Sequence, residues 1–149
     1  MGVRPTFSNA TIEKYLEAEA QKLHQKILKA FFFVGERCAA EARMNKTYLD
    51  QTGNLTASIG YVVSYNGVVQ SVNGFQEGNG TSSGGIGKAK GEVLARSLAS
   101  QQGIGYCLVV VAGMNYAYAV EARGRNVLSS AELLAESILP KLLIDLKIK

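Results

Sequence analysis

Residues 58–65 alternate in polarity. Ile59, Tyr61, Val63 and Tyr65 fall on one side of an extended chain, and Ser58, Gly60, Val62 and Ser64 on the other. A period of two is the mark of a half-buried strand. Asn66-Gly67 follows at once. Both residues tolerate positive φ, so the pair favours a tight turn whose twist matches its flanking strands. A partner strand is expected from Val68 to about Phe75. This hairpin excludes an all-helical fold.

Residues 11–43 read as one long helix. Thr11 is a plausible N-cap, with Ser8 and Asn9 as alternatives. Ile12, Leu16, Leu23, Ile27, Phe31, Val34 and Cys38 recur at helical spacing and draw one apolar stripe. Phe31-Phe32-Phe33 interrupts it, because three consecutive residues span about 200° of a helix surface. At least one ring is expected to point away from the stripe. Phe32 and Phe33 are therefore candidates for a subunit contact, against the plainer reading of a wide core contact.

The middle of the chain is glycine-rich over residues 76–91 and is expected to form a mobile loop. A helix from about Lys88 to Gln102 should follow, with Val93, Leu94, Leu98 and Ala89 inward. Tyr106–Met114 is an almost unbroken apolar run, expected to be a central strand covered on both faces. Residues 116–121 are ambiguous between a strand and a helical turn. Ser129 or Ser130 should cap a last helix, with Ser129 and Glu132 spaced as a capping box. Leu133, Leu134, Ile138 and Leu142 supply its apolar face, and Pro140 should kink or end it. The expected architecture is α+β: a long N-terminal helix and further helices packed on a small mixed or antiparallel sheet. With 149 residues and no evident linker, one domain spanning 1–149 is expected.

Chemistry finds little support. The glycine segment lacks both ends of a phosphate-binding loop: Gly87-Lys88 is flanked by Ser82 where a glycine is needed and by Ala89 where a hydroxyl is needed. His24 is the only histidine, too few for a histidine zinc site or a nucleophile–histidine–acid triad. Asp50, Glu77, Glu92 and Glu121 do not pair in sequence, and only Glu121 sits in an apolar context. A lone carboxylate of that kind is usually held by backbone amides or an arginine. Cys38 and Cys107 lie far apart in apolar surroundings and read as buried thiols from a reducing compartment. No enzymatic role, metal or cofactor is expected. The longest apolar run is too short to cross a bilayer.

The net charge is +4, and each half of the chain holds 8 basic and 6 acidic side chains. A dedicated nucleic-acid binder concentrates its basic residues, so a small nucleic-acid-binding module is the alternative and not the leading reading.

Two short motifs carry more. Thr52-Gly53-Asn54-Leu55 with Ser58-Ile59, followed by Tyr116-Ala117-x-x-Val120-Glu121, resembles the paired signatures of the lambdoid-type tail-completion and head–tail joining proteins of tailed phages. The order of elements over roughly residues 11–145 is also similar. Gly53 can turn the chain, Asn54 can cap the short turn that follows, and Leu55 with Ile59 can anchor it. Glu121 is expected to accept hydrogen bonds from that turn or from Arg123 or Arg125. The chain departs from the family pattern after the acid, where Ala122-Arg123 precede Gly124, and in its long glycine segment. The resemblance implies a structural protein, made in the host bacterial cytoplasm and residing in the virion neck or tail. It would form a cyclic homo-oligomer packed against connector, neck and tail proteins, with no cofactor and no membrane. Thr52, Gly53, Asn54, Leu55, Ser58, Tyr116, Ala117, Val120 and Glu121 would then serve structure or interfaces. Lys88, Lys90, Arg123 and Arg125 either face channel DNA or are simply solvated.

Overall fold

The computed structural model describes residues 2–3, 6, 8–77, 80–81 and 85–146. Helix α1 runs Asn9–Met44, and a short α2 runs Asn54–Ala57. Strands β1 (Ile59–Tyr65) and β2 (Val68–Asn73) form the hairpin. Helix α3 (Gly85–Ser100), strand β3 (Tyr106–Ala112), helix α4 (Ala117–Ala122) and helix α5 (Ser129–Asp145) complete the order. The fold is α+β, as expected, with an antiparallel sheet.

Strand order is β2-β1-β3, and both pairings are antiparallel. Asn66 and Gly67 take φ values of 50° and 79°, the tight turn that the Asn-Gly pair predicts. The β1–β2 register slips between Val63 and Ser64, leaving Gln70 as the extra residue of a bulge. The hairpin places β1, not β3, at the centre. Thus β1 is buried on both faces, not on one, and β3 is an edge strand. The apolar run of β3 is explained by helices on both of its faces, whereas its outer edge pairs with no strand among the described residues.

One face of the sheet packs on α1 and α5. Ile59, Tyr61 and Val63 bury there against Phe31, Val34, Cys38 and Ala131. A side chain as fully buried as Ile59 contributes roughly 2 kcal/mol through removal from water. Tyr61 lies under Gly35, where an added Cβ would sit 2.3 Å from its ring, and its hydroxyl donates to Glu36 across 2.8 Å. Burial first, and the bond to Glu36 next, push its phenol well above the usual tyrosine range. The other face packs on α3, with Val62, Val111, Ala95 and Ala99 at its centre.

Helix α3 corrects two expectations. It begins at Gly85, so the loop is shorter than residues 76–91, although 78, 79 and 82–84 lie outside the described residues. Its inward residues are Gly87, Gly91, Ala95 and Ala99, spaced four apart, with Leu98 half-buried. Val93, Leu94 and Ala89 face outward instead. The reason is steric: a Cβ on Gly91 would lie 2.5 Å from both the Phe75 ring and the Ser58 carbonyl oxygen. Only small side chains let this helix approach the sheet so closely.

Helix α1 starts one turn earlier than Thr11. Ser8 is its N-cap, and its hydroxyl accepts from the Thr11 amide at 3.3 Å. Of the apolar stripe, Ile27, Phe31, Val34 and Cys38 are buried, but Ile12, Leu16 and Leu23 are exposed. Of the three phenylalanines, Phe31 is buried, Phe32 packs against the core and Phe33 is 51% exposed. Of residues 116–121, 117–121 lie in α4 and Tyr116 precedes it, and α5 continues through Pro140 to Asp145. Both cysteines are free: Cys38 is buried and Cys107 half-buried. Among the described residues no helix is long and apolar enough to cross a membrane.

Candidate functional site

The segment leading into α2 is built by its own side chains. Gly53 takes φ 79°, a left-handed conformation that glycine adopts without penalty. The Asp50 carboxylate holds the turn closed, with Oδ1 accepting from the Gly53 amide at 3.1 Å and Oδ2 from the Thr56 amide at 2.7 Å. Thr52 Oγ1 accepts from the Asn54 amide at 3.2 Å. These bonds satisfy amides that a helix start leaves without partners. Gly53 is the N-cap and Asn54 the first residue of α2, so Asn54 does not cap this helix as expected. Its side chain reaches across to α3 instead, where Oδ1 accepts from the Gly87 amide at 3.2 Å. Ser58 closes α2, its buried hydroxyl donating to the Leu55 carbonyl at 2.7 Å.

The second motif meets the first around Leu55. Leu55, Met114, Ala117 and Val127 form one buried cluster, and Tyr48 and Val120 pack against it. A shallow pocket of about 200 Å³ opens beside it, between Asp50, Gln51 and Thr52 on one side and Tyr116 and Val120 on the other. Tyr116, at 39% exposure, precedes α4 as its N-cap residue. The sequence separates these segments by some sixty residues, and the fold brings them to one corner.

Glu121 does not bind the first turn, nor Arg123 or Arg125. Its Oε2 accepts from the amides of Val127 at 3.1 Å and Leu128 at 2.8 Å. Its Oε1 accepts from the Ser129 amide at 3.2 Å and from the Ser129 hydroxyl. The carboxylate therefore caps the start of α5, where free amides and the helix dipole favour an anion. Burial pushes its pKa up, but the Ser129 hydroxyl and the three amides outweigh that, so the carboxyl sits below its ordinary value. Ser129 is thus a donor to the cap and not the cap itself. Asn126 adds a second cap, its Oδ1 accepting from the Ser130 amide at 3.1 Å and its Nδ2 donating to the Asn45 carbonyl at 2.9 Å.

The basic candidates are dispersed. Lys88 sits in the first turns of α3. Arg123 and Arg125 line a shallow pocket with Thr47 and Tyr48, and Arg125 Nη1 donates to the Thr47 carbonyl at 3.1 Å. Arg43 is a contributor that sequence reading missed. Its Nη2 donates to the carbonyls of both Ile59 and Gly74, clamping the C-terminal end of α1 to the open end of the hairpin. Burial first lowers its pKa, opposed by the charge of Glu36. Asp50 was visible only as a possible acid, although its spacing of three to Gly53 is that of a side-chain-closed turn.

Two surfaces remain open. The outer edge of β3 and α5 flank an apolar groove of about 530 Å³, lined by Phe31, Tyr106, Leu108, Val110 and Leu139 among others. His24, Tyr65 and Tyr106 cluster next to this groove, where β1 ends and β3 begins, with His24 Nδ1 2.6 Å from the Tyr106 hydroxyl. Among the described residues no group of three or more His, Cys, Asp or Glu side chains is placed to hold a metal ion. No family model matches the chain, and no curated protein and no solved structure matches it either.

Proposed function

We propose that this chain is a structural virion protein of a tailed phage, which forms or completes a ring at the head–tail junction and performs no catalysis. The observation that carries the reading is the corner around Leu55. The two segments that resemble the phage signatures meet there, and their polar side chains are spent on holding backbone. Asp50, Thr52, Asn54 and Ser58 fix the first segment, and Glu121 fixes the start of α5. A protein whose polar groups work this way is suited to present rigid surfaces to neighbours.

The open surfaces fit that role. A sheet edge without a partner strand tends to recruit one, and β3 carries no charged residue to discourage it. A head-to-tail contact through such an edge closes into a ring when its rotation permits. The partners are copies of this chain and the connector, neck and tail proteins, and the site of action is the virion. Arg123 and Lys88 are solvated or touch channel DNA without sequence preference.

Electron microscopy of the concentrated protein tests the reading. Closed rings of one symmetry are expected. Monomers only, or open filaments, would overturn it.

A further inference from the structure

Helix α3 turns its small residues inward, which leaves larger apolar ones at the surface. At about 100° per residue, Ile86, Ala89 and Val93 occupy the side opposite the buried Gly91 and Ala95. Ile86 and Val93 are 60% and 69% exposed. No charge enters this stripe. Lys90 borders it on one flank, and Glu92 and Arg96 on the other. Helix α5 repeats the arrangement. Leu133, Pro140 and Ile144 stand opposite Ala131 and Ala135, with Leu133 and Ile144 67% and 70% exposed. Glu136 borders that stripe on one flank, and Lys141 and Asp145 on the other. Exposed apolar stripes with charged borders mark sites of association.

The two helices lie on opposite faces of the sheet and run the same way. Helix α3 starts beside Asn54, just before β1, and is followed by Gln102, whose carbonyl lies near Gly67 past the end of β1. Helix α5 also starts at the Asn54 end, with Leu128 against the Leu55 cluster, and packs along the other face. A second copy set beside the first in the same sense therefore brings its α5 alongside α3 in parallel. Charge agrees with that direction. Facing parallel helices meet opposite flanks. With Ile86 level with Leu133, Val93 is level with Pro140, both seven residues further on. Lys90 then lies within one residue's rise of Glu136, and Glu92 and Arg96 within two of Lys141 and Asp145. Each pair is opposite in sign, which fixes register and direction. Antiparallel pairing would set Glu92 against Glu136 and leave Lys90 on the flank of Lys141.

We propose that the outer stripe of α3 docks in parallel on the outer stripe of α5 of a second copy of this chain. The contact is heterologous, so each chain uses both surfaces and the contact repeats from copy to copy. It needs neither the β3 edge nor the virion reading.

Cysteine cross-linking tests the contact. In full-length protein carrying Cys107→Ser, an Ile86→Cys chain is mixed with a Leu133→Cys chain and oxidised mildly. The mixture is expected to link into dimers and each variant alone to stay unlinked. A chain carrying both cysteines is expected to link into a ladder of multimers. Lys90→Glu, at an exposed position, is expected to lower the association constant about fivefold, and Glu136→Lys in the same chain to restore it. Self-linking of either variant as readily as in the mixture, or a double variant that stops at dimers, would overturn the head-to-tail contact. Absence of any cross-link, with a native mass unmoved by Lys90→Glu, would overturn the docking even if rings form.

Discussion

The amide of Gly87 donates to the side-chain oxygen of Asn54 across 3.2 Å, and a Cβ at Gly87 would lie 1.9 Å from the Asn54 carbonyl oxygen. The start of α3 is therefore seated directly on α2, with no room for a side chain between them.

Gly87→Ala is expected to destabilise the protein by about 2–3 kcal/mol, since the obstructing atom is backbone and cannot swing aside. Gly85→Ala, in the same turn, meets nothing within 4 Å and should be neutral or stabilising by up to about 1 kcal/mol. Urea denaturation of the two variants checks the contrast. Equal midpoints would contradict the seating.

Glu121→Gln keeps shape but removes the charge and at least one acceptor from the start of α5. A loss of about 1–2 kcal/mol is expected, the usual scale of a helix cap. Arg123→Ala should change stability by less than about 0.5 kcal/mol, because that residue is exposed and does not hold Glu121. If Arg123→Ala proved the costlier of the two, the cap assignment would fail.

The same cap sets a pH dependence. The folded pKa of Glu121 lies below the ordinary value of 4.5. Its stabilisation is complete above the unfolded value, fades as pH falls through the folded value, and is absent below it. The stability difference between wild type and Glu121→Gln should therefore shrink as pH falls below about 4.5. A difference constant from pH 7 to pH 2 would contradict the cap.

Arg43→Ala leaves the Ile59 and Gly74 carbonyls without their shared donor. A cost of about 2–3 kcal/mol is expected, since hydrogen bonds from a charged group are lost inside a half-buried site. Arg43→Lys should recover only part of it, because an ammonium lacks the guanidinium fork. Hydrogen exchange should then quicken first at the β1 and β2 amides near those carbonyls. Unchanged protection there would contradict the clamp.

Sequence reading went furthest where structure is local. Asn66-Gly67 specified the hairpin because both positive φ values come from two adjacent residues. Gly53 was legible for the same reason. It failed where the deciding neighbour is distant. Val93 and Leu94 were expected inward by hydrophobicity, but the backbone of Asn54 and Ser58 leaves room only for Gly87 and Gly91. The centre of the sheet was misplaced because β3 is as apolar as a central strand, and only β1 pairing with both neighbours decides the order. Glu121 was recognised as a held carboxylate, but its donors follow a chain reversal at Gly124 that the motif itself does not encode. Arg43 carried no local mark at all.

The proposal of a ring-forming virion protein is tested most directly by the native mass of the purified chain at low and high salt, with and without short double-stranded DNA. The account predicts a discrete closed multiple of the 16.0 kDa chain, unchanged by DNA. A monomer at every concentration, or one that binds DNA with affinity falling steeply as salt rises, would contradict it.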